Sequence, residues 1–191
     1  MTLILNLIGR SGSGKYTIAK HLEKYGFKIV DNHLINNPIF SLLDLDSVTP
    51  IPDFAWETIS RIRASIFDFM SKEYKHNYVL TNELLEDEGD HQCFKQVQEM
   101  AERRGSLFVP IRFHVSKEEN ARRIQMPERA LRFKSTRIDD AACEKPLIQV
   151  SHPNLMDIDI NDLTAETVAQ KILEAIQQLL KKPIFKPTED E

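Results

Sequence analysis

Two cysteines in 191 residues, Cys93 and Cys143, stand far apart, with no CxxC pair and no His/Cys cluster. That scarcity excludes a disulfide framework and a structural zinc site, and reduced thiols in a cytosol are the simple reading. Positive charge is not in excess either: 25 Lys and Arg face 29 Asp and Glu, for a formal net charge of -4. The chain as a whole therefore carries no footprint for nucleic acid or an anionic membrane, and any anion site must be local. No apolar run approaches the roughly 18 residues of a membrane span. A leader would need basic residues and then a longer apolar stretch, yet Met1-Thr2 runs directly into Leu3-Ile4-Leu5, which Asn6 and Arg10 interrupt. A soluble, cytoplasmic protein is expected. No internal repeat or low-complexity tract is visible.

What is present is ordinary globular usage, 41% hydrophobic and 28% charged. The length predicts one domain over residues 1–182, with a Pro- and acid-containing tail at 183–191. Short aliphatic runs alternate with helical periodicity. Leu3 to Ile8 reads as a buried strand and Lys15 to Tyr25 as a helix stopped by Gly26. Phe27 to Val30 is a second strand ending at Asp31, followed by an irregular stretch with Pro38, Pro50 and Pro52. Asp53 can cap a long helix whose apolar stripe is Ile59, Ile62, Ile66, Phe69 and Met70. A third strand, Tyr78 to Leu80, leads to Thr81-Asn82-Glu83, and residues 89–104 form a helix stopped by Gly105. Leu107 to Val115 is a fourth strand. Ser116 with Glu119 three residues on then opens a helix. Leu155 to Ile160 is a fifth strand, and Thr164 opens a last helix with Val168, Ile172, Ile176 and Leu179 on its stripe. Strands alternating with helices imply right-handed crossovers and a parallel sheet covered on both faces. Ligands of such sheets gather at the carboxyl ends of the strands, where Gly9, Asp31, Glu83 and the segment after Val115 all fall.

The first of these ends reads Gly9-Arg10-Ser11-Gly12-Ser13-Gly14-Lys15-Tyr16-Thr17. It matches G-x-x-x-x-G-K, the core of the Walker A phosphate loop. Glycines let successive backbone N–H groups turn inward on a phosphate, and a helix start immediately after favours an anion through its amides and dipole. Lys15 then reaches the β- and γ-phosphates as a mobile charge. Gly9, Ser11, Gly12, Ser13, Gly14, Lys15, Tyr16 and Thr17 are accordingly expected to bind the nucleotide. One position departs from the motif: the residue after the lysine supplies a Ser or Thr hydroxyl to Mg²⁺, and here it is Tyr16, whose phenol lies too far from its backbone to do so. Asp31 with water is expected to hold the metal instead.

From Leu3 to about Leu180 the pattern resembles the small P-loop kinases that include shikimate kinase, gluconate kinase and the nucleoside monophosphate kinases. The resemblance implies an α/β three-layer P-loop NTPase fold, a five-stranded parallel sheet of order 2-3-1-4-5, an acceptor-binding flap over 32–75 and a small helical lid over 122–139. It implies ATP and Mg²⁺ as cofactors and a small-molecule acceptor as partner. Asp31 matches the family carboxylate that contacts the acceptor hydroxyl and the metal; its other reading is the N-cap of a helix at Asn32-His33-Leu34. By position His33 lines the acceptor pocket, and Glu83 is a substrate contact or a surface carboxylate. Arg122, Arg123, Arg129, Arg132, Lys134 and Arg137 are either a lid that closes on the γ-phosphate or a solvated basic helix; Arg129 is ranked first, then Arg132 or Arg123. Phe40, Leu43, Phe54 and Trp56 wall a pocket or belong to the core. Three functions follow as alternatives: a shikimate kinase-like phosphotransferase on a metabolite hydroxyl, a nucleoside or nucleotide kinase, and a nucleotide-binding module without turnover. No N-K-x-D guanine motif is present. The Thr81-Asn82-Glu83-Leu84-Leu85 segment stands where shikimate kinases carry a glycine-rich loop, which counts against shikimate itself.

Overall fold

A computed structural model describes residues 1–43, 50–125 and 145–181. Five strands form one parallel sheet: β1 (Leu3–Ile8), β2 (Phe27–Asp31), β3 (Asn77–Asn82), β4 (Leu107–His114) and β5 (Met156–Asp159). Their spatial order is β2-β3-β1-β4-β5, as the resemblance implied. The helices are α1 (Lys15–Glu23), α2 (Asn32–Phe40), α3 (Asp53–Lys72), α4 (Glu88–Arg104), α5 (Lys117–Ile124) and α6 (Ala165–Leu180).

The unbroken apolar run of β1 follows from its central place, because every one of its residues is buried. Side chains alternate across a strand, so Leu3, Leu5 and Leu7 pack with Ile18 and Leu22 of α1 and Ile172 and Ile176 of α6. Ile4 and Ile8 pack on the other face with Met70 of α3 and Val97 and Met100 of α4. In register, Leu5 lies between Val79 and Val109. Asn6 is the polar exception. Its buried side-chain oxygen accepts from Asn82 Nδ2 at 2.7 Å, joining β1 to the carboxyl end of β3.

Local signals set most element ends. Ser116 Oγ accepts from the Glu119 N–H at 3.2 Å and Thr164 Oγ1 from the Thr167 N–H at 3.1 Å, capping α5 and α6. Gly26 and Gly105 take positive φ after α1 and α4. Four expectations need correction. The stretch after Asp31 is helical, not irregular: Asp31 caps α2, its carboxylate accepting from the His33 N–H at 3.0 Å, and Pro38 lies inside the helix, where it forgoes one i→i−4 hydrogen bond. Asp53 lies inside the first turn of α3, where Pro52 is the N-cap. Phe69 and Leu179 are exposed, while the other residues of each expected stripe are buried or pack on the core, where Phe67 and Leu173 join them. Of the aromatic residues in the flap, Phe40 is core and Phe54 is exposed.

At the amino-terminal end of β3, the fully buried Arg104 side chain lies 5.0 Å above the Tyr78 ring and donates to Glu73 Oε2 at 3.1 Å. Burial alone would raise the Glu73 carboxyl. Hydrogen bonds from the Lys75 and His76 amides and the Tyr78 hydroxyl outweigh it and hold the carboxyl down at about 2. Burial and the same Glu73 contact push Tyr78 up to about 12. A depressed carboxyl contributes stability above its unfolded value of 4.5 that is lost as pH falls towards about 2. The raised phenol contributes below its ordinary 10.0, and that contribution is lost as pH climbs towards about 12. Glu73→Gln is therefore expected to flatten the acid limb of a thermal-midpoint profile between about pH 4.5 and 2. An acid limb identical to that of the wild type would contradict this.

Candidate active site

At the centre of the sheet the chain leaves β1 between β3 and β4, the crevice where parallel sheets take ligands. Residues 9–14 make the turn. The Gly9 N–H donates to Asn82 O at 3.2 Å and the Ser13 N–H to Arg10 O at 3.1 Å. Gly12 and Gly14 hold φ of 89° and 87°, in the left-handed region open to glycine. Gly14 is the N-cap of α1 and no side chain caps that helix, the arrangement in which helix amides and dipole favour an anion. Lys15 folds back over the loop, its ammonium donating to Gly9 O at 2.7 Å and Arg10 O at 2.8 Å.

The loop floors a cleft of about 700 Å³. Ser11, Gly12, Ser13, Gly14, Lys15, Tyr16 and Thr17 all line it, and so do Asp31, His33 and Glu83. Gly9 is not among the lining residues. Asp31 is 3% exposed at the end of β2, where it caps α2 and lines the cleft. Ile160, Leu163, Ala165 and Val168, from the turn after β5 and the start of α6, give the cleft an apolar end.

Arg122 and Arg123 line the same cleft from α5. Arg123 NH1 lies 3.9 Å from the position a Cβ would take at Gly14. Both guanidiniums donate to Glu119, at 2.7 and 2.6 Å through Nε, and these bonds bring the Glu119 carboxyl down to about 2. Arg129 and Arg132, ranked highest in the sequence, lie outside the described residues, as does the rest of the expected lid from residue 126 on. Among the described residues, Arg123 is the ranked arginine that lies at the loop. The usable signal was its position four residues after Glu119, within the helix that Ser116 caps.

Asn120 was missed altogether. It is 1% exposed, packs against Gly12, and neither of its side-chain polar atoms has a partner among the described residues. A second cavity of about 370 Å³ opens beside the cleft and shares Asn32 and Glu83 with it. Trp56, Ser60 and Arg63 of α3, at helical i, i+4, i+7 spacing, form one wall of it.

The residues fit a nucleoside triphosphate: a glycine cradle that a Cβ would fill, a lysine over the loop and an apolar end for a base. For Mg²⁺, no cluster of three His, Cys, Asp or Glu exists among the described residues. Mg²⁺ keeps several waters and needs only one or two carboxylates beside substrate phosphates, a donor set that a single carboxylate on the cleft wall such as Asp31 fits.

The sequence matches no family model and no curated protein. Solved structures do match over nearly the whole chain. A gluconokinase from Sinorhizobium meliloti 1021 is 14% identical, covering 93% of each chain at a TM-score of 0.59. The Mycobacterium tuberculosis APS kinase in complex with AMPPNP and APS is 13% identical, with 92% of this chain and 98% of that one covered at 0.57. A shikimate kinase from Acinetobacter baumannii in complex with shikimate is 15% identical, with 95% and 94% covered at 0.52. The chain has the fold of the small-molecule P-loop kinases. No helix among the described residues is long and apolar enough to cross a membrane.

Proposed function

We propose that the protein is an ATP-dependent phosphotransferase acting on a hydroxyl of a small metabolite. The observation that carries this reading is one cleft lined by the phosphate loop with Lys15, by Asp31, and by Arg123 facing them from α5. Loop amides and Lys15 hold the triphosphate, and the base lies against Ile160, Leu163 and Val168. Phosphoryl transfer asks little covalent chemistry of a protein; its rate comes from positioning and from cations placed where γ-oxygen charge develops. Lys15 and Arg123 are those cations. Asp31 would hold Mg²⁺, which supplies charge neutralisation between the β- and γ-phosphates when bound. The carboxylates Asp31 and Glu83, with His33, orient the acceptor hydroxyl.

ADP release measured with Mg²⁺ and ATP against sugars, sugar acids, shikimate, nucleosides and nucleotides tests the reading. Acceptor-dependent release is expected, and Asp31→Asn should lower kcat by about 10²-fold or more, the scale for removing one positioned catalytic group. Turnover that survives this substitution unchanged would remove Asp31 from the mechanism.

A second reading is favoured by Tyr16 alone: a nucleotide-binding module without turnover. Tight ATP binding indifferent to Mg²⁺, with no consumption on any acceptor, would select it.

A further inference from the structure

We infer that the 370 Å³ cavity is the acceptor site and that its chemistry selects an uncharged polyhydroxylated acceptor over one bearing a carboxylate or phosphate, an inference that rests on the kinase reading above. The cavity adjoins the phosphate loop through Asn32 and Glu83, which line both spaces. An acceptor lying in it would present a hydroxyl to the γ-phosphate beside Glu83. That carboxylate is half-buried and makes no hydrogen bond or ion pair with the described residues.

The walls are mostly neutral hydrogen-bonding groups. Asn32 and Asn36 come from α2, Ser60 from α3, Asn82 from the end of β3, and Gln92 and Gln96 from one face of α4. Asn36 is 4% exposed, and its side-chain oxygen has no partner among the described residues. Asn82 has its Nδ2 committed to Asn6 Oδ1 at 2.7 Å, so its side-chain oxygen is the group it can offer a ligand. A buried amide oxygen without a donor is costly, and hydroxyl groups are donors that satisfy it. The exposed face of Trp56 closes one side, an apolar surface suited to the C–H face of a sugar ring.

Charge decides against an anion. Among the described residues the lining holds one cation, Arg63, and two carboxylates, Glu83 and Asp90, which sum to -1. Arg63 already donates to Asn32 Oδ1 at 3.2 Å. An acceptor phosphate or carboxylate would meet this net negative wall beside the triphosphate. Each such like-charge contact costs about 1 kcal/mol or more near a protein surface. A cavity of this size is at the small end for ligand sites, which run from about 300 Å³, and suits a monosaccharide or a nucleoside.

In the reaction the acceptor oxygen forms a bond to the γ-phosphorus and the bond from that phosphorus to the β–γ bridging oxygen breaks. ADP leaves with the electron pair, and the acceptor proton passes to the Glu83 carboxylate and then to water.

The test compares matched neutral and anionic acceptors by ADP release with Mg²⁺ and ATP: glucose with gluconate, ribose with ribose 5-phosphate, adenosine with AMP. The best neutral acceptor is expected to exceed its anionic partner in kcat/KM by about tenfold or more. Ser60→Arg, on an exposed turn of α3, should shift that ratio towards the anion by about tenfold. Glu83→Gln should lower kcat while leaving KM within about twofold, as expected for a group acting on the proton in the transition state. A wild-type preference for anionic acceptors, or a ratio that Ser60→Arg does not move, would overturn the inference and leave the kinase reading standing. Failure of every acceptor with a protein that binds ATP would overturn both.

Discussion

Lys15→Met is expected to lower kcat/KM by about 10³-fold, at the upper end for loss of one electrostatic donor at a transferring group. Methionine keeps most of the apolar stem and removes the charge. The ammonium donates to the Gly9 and Arg10 carbonyls, at 2.7 and 2.8 Å. These are weaker partners than a triphosphate, so the ammonium can move from them to the β- and γ-oxygens at a net gain. Charge on those oxygens grows during transfer, and the loss should therefore fall more on kcat than on ATP affinity. The side chain is half-buried and packs in neither main core, so the thermal midpoint should move no more than for a surface substitution. Kinetics, ATP titration calorimetry and thermal unfolding on one preparation separate these effects. Activity within about tenfold of wild type would remove Lys15 from the transition state.

How far the sequence disclosed this site depended on whether its parts lay close together in the chain. The phosphate loop was legible because its strand, turn, lysine and helix are consecutive and each uses a local rule: a buried apolar run, positive-φ glycines, an anion at a helix start. Strand ends are similarly local, which is why Asp31 and Glu83 could be named before any contact was known. Asn120 was not legible. Its importance comes from α5 packing onto Gly12, a contact spanning more than a hundred residues, and a single Asn in a charged helix gives no periodic signal. The second cavity was hidden for the same reason, since its walls come from α2, α3, β3 and α4. Phe69 of α3 and Leu179 of α6 mark a limit of periodicity itself: both helices carry more apolar residues than one face can hold, so tertiary packing chose among them. At Asp31 the cap and the cleft position coexist, because one carboxylate oxygen caps α2 while the residue still lines the cleft.

The same packing of α5 on the loop makes Gly12 the least replaceable of the loop glycines. Gly12 and Gly14 have almost the same backbone, φ 89° and 87°, so a left-handed alanine costs each about 1–2 kcal/mol. Their surroundings differ. A Cβ at Gly14 would meet nothing nearer than Arg123 NH1 at 3.9 Å, an ordinary contact. A Cβ at Gly12 would lie 2.8 Å from Asn120 Oδ1, 3.1 Å from Ile124 Cβ and 3.2 Å from the Asn120 backbone oxygen. Two of those three atoms belong to the backbone or to its first branch and cannot swing away, and overpacking of this kind adds about 1–3 kcal/mol. Gly12→Ala is therefore expected to destabilise by about 2–5 kcal/mol against about 1–2 for Gly14→Ala in denaturant unfolding. Relief requires α5 to retreat, and α5 carries Arg122 and Arg123 on the cleft wall, so ATP affinity should fall with stability in Gly12→Ala. Adding Asn120→Ala removes only the nearest contact and should recover part of both losses, whereas Asn120→Ala alone deletes an amide without partners and should be close to neutral. Equal penalties at the two glycines, or no recovery in the double variant, would mean that α5 does not press on the loop as the geometry requires.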